Sequence, residues 1–246
     1  MKLKIGYLYY DLLNLYGENG NIKALKNLLE NMDIKTEIHF ITVGDKIDFD
    51  KFDLVYIGAG TEENLKIALK DLLKYKDDLK KYIENNKFFL ATGNSIDLFG
   101  KYITDTDNKK TKCLNLFNYR VKHESFRMID EAIFECDFLD KPFIGFQNQY
   151  SVLQENKYPM FKVIKGIGSF PKSSKEGIHY KNFYGTYLIG PVLVRNPHFL
   201  EYLVKEIVHS KDSNYKFKKF NLKEENNAYN SFINNFYQEE LKKQTN

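Results

Sequence analysis

Phe88-Phe89-Leu90-Ala91 runs directly into Thr92-Gly93-Asn94-Ser95-Ile96-Asp97-Leu98-Phe99-Gly100, and the fold is read outward from this junction. A short uninterrupted apolar run bounded by small and polar residues reads as a strand buried on both faces. Upstream, residues 3–9 read as a strand. Residues 20–30 read as a helix with Ile22, Leu25, Leu28 and Leu29 on one face. Residues 37–43 and 54–57 are strand-like, and Leu65, Leu69, Leu72 and Leu73 recur at helical spacing. Strands alternating with helices predict a parallel sheet covered on both faces. Beyond about residue 109 the pattern changes to short strand candidates at 132–136, 143–146, 161–164 and 187–189. Helices are predicted at 197–209 and 224–241, joined by a polar connection. No internal repeat is present, and the Lys and Asn richness has the character of background composition.

The chain has 246 residues, 43% of them hydrophobic, which is enough to bury a substantial core. Its net charge is +4, with Lys interleaved among Asp and Glu along helical faces such as residues 66–87. Such interleaving makes a solvated surface rather than a nucleic-acid footprint. Arg occurs only at 120, 127 and 195, so bidentate recognition of phosphates or bases has few candidates. Residues 1–4 lead into an alternating apolar segment without the core of a secretory signal, and no run approaches the ~20 apolar residues of a membrane span. The only cysteines, Cys113 and Cys136, lack Cys-x-x-Cys spacing, so neither a disulfide framework nor a zinc site is indicated. A reduced, cytoplasmic protein without metal or cofactor is expected.

Several motifs then fall in a recognisable order. They are Asp11-Leu12-Leu13-Asn14-Leu15-Tyr16-Gly17-Glu18-Asn19-Gly20-Asn21-Ile22, Gly58-Ala59-Gly60 after a strand, Gly145-Phe146-Gln147-Asn148, Glu176-Gly177, Gly185-Thr186-Tyr187-Leu188 and Asn196-Pro197. Together, from about residue 4 to about residue 203, the chain resembles the GatD-like group of CobB/CobQ-like class I glutamine amidotransferases. That group supplies the glutaminase subunit of lipid II isoglutaminyl synthase. The resemblance implies a flavodoxin-like open sheet, mostly parallel, with helices on both faces and an added β-rich part. It also implies a GatD-like domain over residues 1–210, followed at 211–246 by a polar connection and a helix.

In the resembled family a cysteine nucleophile sits at a sharp strand-to-helix turn, where backbone N–H groups stabilise the tetrahedral oxyanion. Aligning Leu98 and Gly100 with the family's Leu-Leu-Gly places Gly93 at the nucleophile position. The family's Gly-Thr-Tyr-Leu-His-Gly-Pro is here Gly185-Thr186-Tyr187-Leu188-Ile189-Gly190-Pro191, so the general base is replaced by Ile189. An aliphatic side chain transfers no proton at any pH. A third change turns Gly-Phe-Glu-Asn-His into Gly145-Phe146-Gln147-Asn148-Gln149. Nucleophile and base are thus lost together while their flanking motifs remain, the pattern of a pseudoenzyme.

The expected cleft comprises Gly58, Ala59 and Gly60 as the oxyanion loop, with Thr92, Asn94, Ser95, Asp97, Gln149 and Tyr187 around the turn. Asp97, where the family has Gln, is expected to favour the start of a helix. Thr92 and Ser95 carry hydroxyls but need a base to become nucleophiles. Arg120 and Arg127 both fall where the family keeps a substrate-facing arginine. Cys113 lies in a Lys/Asn-rich loop context and Cys136 in an apolar strand pattern, each read as an ordinary thiol. No two histidines are spaced as a helical metal pair, and His179, next to Glu176-Gly177, is the one drawn toward the cleft.

The resemblance implies a MurT-like Mur ligase as heterodimer partner and glutamine as a ligand. In such pairs the ligase activates a stem-peptide carboxyl with ATP, and the amidotransferase delivers ammonia. Two functions therefore stand open: a degenerate subunit that stabilises or regulates the ligase, and an active glutaminase with a non-standard nucleophile. Cobyric acid amidation is a third, disfavoured because no Gly-x-x-x-x-Gly-Lys-Ser/Thr loop or separate synthetase domain is present.

Overall fold

A computed structural model describes residues 1–237. Its first sheet is built as the alternation predicts. Strand β1 (Lys2–Leu8) is followed by helix α1 (Asn19–Asn31), β2 (Lys35–Ile41), β3 (Leu54–Ile57), α2 (Glu62–Leu72), α3 (Lys76–Glu84) and β4 (Phe88–Thr92). All five residues of β4 and all four of β3 are buried, as strands covered on both faces must be. The segment read as one charged helical stretch is broken by a 3-10 turn at Leu73–Tyr75, and Leu73 is exposed rather than part of the apolar stripe.

The second half of the chain departs from the short-strand reading. After β5 (Tyr102–Thr104) and β6 (Lys110–Lys112) come two long antiparallel strands, β7 (Arg120–Cys136) and β8 (Leu139–Gln154). The apolar clusters at 132–136 and 143–146 are only their buried ends. The outer part of the ribbon carries Lys122, Glu124 and Arg127 and so shows no apolar run. Strands β9 (Phe161–Lys165) and β10 (Lys175–Glu176) extend this sheet. Then β11 (Ile178–Tyr180) and β12 (Phe183–Thr186) return to the first sheet, whose order is β11-β12-β4-β3-β1-β2. All its pairings are parallel except β11 with β12. Residue 187 breaks the strand expected at 187–189, and β13 (Leu188–Ile189) pairs instead with β8 of the second sheet.

Helices α4 (Val192–Arg195), α5 (Pro197–Lys211) and α6 (Lys223–Phe236) are the last elements among the described residues. The part of the predicted last helix beyond residue 237 lies outside the described residues. Helix α6 is held by a hydrogen bond from the Tyr229 hydroxyl to the Pro142 carbonyl. Two apolar clusters flank the parallel sheet. One contains Val55, Phe89 and Phe183, and the other Leu3, Leu54 and Leu90. The carboxyl ends of β3, β4 and β12 therefore meet the start of the second sheet, the usual place for a site in an open α/β fold.

Candidate active site

The turn after β4 is left-handed: Gly93 has φ +61 and opens a 3-10 helix over Gly93–Phe99. This is the conformation a nucleophile-bearing turn needs, and it is present here without a side chain. There is also no room for one. A Cβ built on Gly93 would lie 2.6 Å from Ala59 Cβ and 3.2 Å from Ile189 Cγ2. Ala59 and Ile189 close from both sides on the volume a cysteine would enter.

The loop after β3 is committed elsewhere. The Gly60 N–H donates to Asn94 Oδ1 at 3.1 Å, and Asn94 Nδ2 donates to the Gly60 carbonyl at 2.8 Å. The donor expected to face an oxyanion is thus clasped by the residue following Gly93. A Cβ on Gly58 would meet the Leu13 carbonyl at 2.5 Å and Glu18 Cγ at 2.7 Å, so this glycine lets the Asp11–Ile22 motif approach the loop.

Thr92 and Ser95 do not face the cleft. Thr92 Oγ1 donates to Glu18 Oε2 at 2.7 Å, and Ser95 Oγ donates to the Thr92 carbonyl at 2.8 Å. Both residues are wholly buried. Glu18, missed in the sequence reading except as a motif letter, also receives the Tyr56 hydroxyl. Burial raises its pKa, opposed by these hydrogen bonds. Glu176 is likewise buried. Its carboxylate accepts from Thr186 Oγ1 at 2.8 Å and from the Tyr187 N–H at 2.7 Å, yet burial pushes its pKa up to about 7.

Gln147 and Gln149, expected at the family's Glu and His positions, form an amide ladder. Gln147 Nε2 donates to Gln149 Oε1 at 2.8 Å, and Gln147 Oε1 accepts from the N–H groups of Ile167 and Gly168. Gln149 Nε2 in turn reaches the Ser151 carbonyl at 3.0 Å. Gln149 touches the cleft, but its amide serves to pin the 166–168 loop.

A cleft of about 320 Å³ lies over the turn, lined by Gly60, Asn94, Arg127, Gln149, Tyr150 and Ile189 among others. The structure separates the two arginines. Arg127 enters this cleft, stacked over the Tyr150 ring at 5.1 Å. Arg120 pairs with Glu155 and reaches the Tyr102 hydroxyl at 3.3 Å, away from it. Tyr187 is buried, its hydroxyl on Asp97 Oδ1 at 2.7 Å. Asp97 sits late in the 3-10 turn and is held by Tyr187 and Ser151, so it does not act on a helix start.

His179 is a correction. It packs at 4.8 Å from the rings of both Tyr184 and Phe138, and burial lowers its pKa. The histidine that meets the segment after the turn is His123, with Nε2 3.5 Å from Asp97 Oδ2. Only the three-dimensional register of β7 on β8, which sets His123 opposite Ser151, brings it there. Cys113 lies in the loop after β6, as read, and is buried there. Burial, with Asp97 adding to it, pushes its thiol up to about 12, far from a nucleophile. The Cys136 thiol is also raised by burial.

Among the described residues no three metal-ligating groups converge, and no helix is long and apolar enough to cross a membrane. The family model for the CobB/CobQ-like glutamine amidotransferase domain matches residues 4–197. The GatD subunit of lipid II isoglutaminyl synthase (glutamine-hydrolyzing) from Streptococcus pneumoniae is 29% identical over 213 residues, covering 85% of this chain and 82% of that protein. The GatD subunit from Staphylococcus aureus is 30% identical over 210 residues, covering 85% and 86%. A crystal structure of a glutamine amidotransferase superposes with a TM-score of 0.53 at 14% identity, over 83% of this chain and 98% of that one, a likeness of fold. With motifs, sheet order and family match in agreement, the chain belongs to the CobB/CobQ-like glutamine amidotransferase family and is similar to its GatD members.

Proposed function

We propose that this chain is a GatD-like subunit of a complex that amidates the lipid II peptidoglycan precursor. It pairs with a MurT-like Mur ligase and does not itself hydrolyse glutamine. The observation that carries this reading is Gly93, a side-chain-free residue in the left-handed turn, with Ala59 and Ile189 filling the space beside it.

Glutaminase chemistry needs a thiolate to attack the γ-amide carbon, donors to hold the resulting oxyanion, and a base that takes the thiol proton and returns it to departing ammonia. Position 93 offers no sulfur, position 189 no nitrogen, and the Gly60 N–H is already bonded to Asn94. The fold and the cleft persist without these groups. This supports a role in binding: stabilising the ligase, or regulating its supply of ammonia made elsewhere.

Ammonium release from glutamine by the purified chain, alone and with its cognate ligase, tests the reading. The native chain should release none. Gly93→Cys/Ile189→His should also stay inactive, because the new Cβ still meets Ala59. Adding Ala59→Gly should allow activity to appear. Release by the native chain, with or without the ligase, would refute the loss of hydrolysis. Failure to co-purify with any Mur-ligase-like protein of its own cell would count against the partnership.

The open cleft with Arg127 at its wall favours a second reading, an active glutaminase with a different nucleophile. Thr92 and Ser95 are poor candidates, since both hydroxyls donate inward to protein acceptors. Activity that persists in Thr92→Ala and Ser95→Ala would remove them altogether.

A further inference from the structure

Beside the glycine turn, a crevice ends at a carboxylate that the fold leaves short of positive charge. Asp97 is only 1% exposed, and its hydrogen-bond donors, Ser151 Oγ at 2.5 Å and the Tyr187 hydroxyl at 2.7 Å, are both neutral. Among the described residues its one ion-pair partner within 4.0 Å is His123, whose Nε2 lies 3.5 Å away without hydrogen-bond alignment. The inner end of the crevice, about 50 Å³, is walled by Leu65, Leu69, Leu98 and Ile103. An outer chamber of about 340 Å³ shares Glu62, Asp105, His123 and Tyr150 with it and adds Glu124.

Tyr150 supplies an independent observation. It is 7% exposed, lines the cleft and both chambers, and its hydroxyl has no partner at hydrogen-bond geometry among the described residues. A buried hydroxyl left in this state is a position where a ligand atom restores what folding removed. Four acidic groups, Asp97, Glu62, Asp105 and Glu124, line the two chambers, against Lys66, Arg127 and His123. A divalent metal lacks the three converging ligands it would need. The apolar walls suit a carbon chain.

We infer that this crevice binds a short-chain primary ammonium ion, its nitrogen between Asp97 and the Tyr150 hydroxyl and its alkyl chain along Leu65, Leu69 and Leu98. Asp97 is already buried in the folded chain, so binding removes little further water from that side chain. The inference is independent of hydrolysis at position 93.

Isothermal titration calorimetry of the full chain with n-butylammonium chloride, against the neutral amide butyramide, reads the preference. The ammonium should bind about tenfold or more tighter, and Asp97→Asn should erase the difference. Since Asp97 also anchors Ser151 and Tyr187, Glu62→Lys at the exposed rim provides a variant that keeps the core intact. It should weaken n-butylammonium by about tenfold with the thermal midpoint unchanged. Absence of saturable n-butylammonium binding, equal affinity for the two probes, or indifference to Glu62→Lys would each overturn the assignment.

Discussion

Glu176 shows how much a single buried acid contributes to behaviour with pH. Its folded-state pKa of about 7 stands above the ordinary 4.5, so the folded chain holds its proton more tightly than the unfolded chain. The associated stability is complete below about pH 4.5 and is lost as pH rises through about 7. Replacing it by the neutral isostere, Glu176→Gln, should flatten the fall in unfolding free energy between pH 4 and 8 by about 3 kcal/mol, an order-of-magnitude figure read from urea titrations. A variant whose pH profile parallels the native one would refute this. At this scale the sequence marked Gly93 and Ile189 as the positions to inspect, because both stand inside recognisable motifs. It did not reveal what packs around them. Ala59 meets Gly93 across 34 positions of chain, and Asn94 reaches Gly60 across the same span, distances that no local pattern encodes. His123 and Tyr150 are likewise ordinary letters until β7 and β8 pair.

Elements are joined by a few buried amides from the same motifs. Asn196 Oδ1 accepts from the Ile144 N–H at 2.8 Å, while its Nδ2 donates to the Ile144 and Val192 carbonyls at 2.9 Å, tying β8 to α4. Asn21 does the same for α1, accepting from the Leu193 N–H at 2.9 Å and donating to the Tyr56 hydroxyl at 2.8 Å. Asn196→Ala strands backbone groups in a fully buried place and should cost about 2–4 kcal/mol in urea unfolding. Thr61, whose Oγ1 accepts from the Asn64 N–H at 3.2 Å at the start of α2, is exposed. Its change to Ala should cost about 1 kcal/mol, and a larger effect at Thr61 than at Asn196 would contradict the ranking. The Asn196-Pro197 motif was visible in the sequence; the clamp it makes on residue 144 was not.

For the molecule as a whole, the alternation of strand and helix was enough to place the parallel sheet, because strands buried on both faces announce themselves as apolar runs. The ribbon of β7 and β8 was hidden because its outer half mixes Lys, Glu and Arg with exposed Phe126 and Ile129. Both apolar clusters take residues from both sheets: Val121 and Leu153 join Phe89 in one, and Ala132 and Phe143 join Leu90 in the other. Such shared cores predict one cooperative transition, with far-ultraviolet circular dichroism and tyrosine fluorescence giving the same urea midpoint. Separate midpoints would mean that the ribbon melts by itself. The crowding at Gly93 bears finally on ancestry. A lone cysteine at 93 meets Ala59, and a lone histidine at 189 gains no thiol to deprotonate. Each single step back toward hydrolysis is thus without reward, and the first of them strains the turn. On the proposed reading the glycine is entrenched, and a cysteine at 93 becomes tolerable only through several coordinated changes.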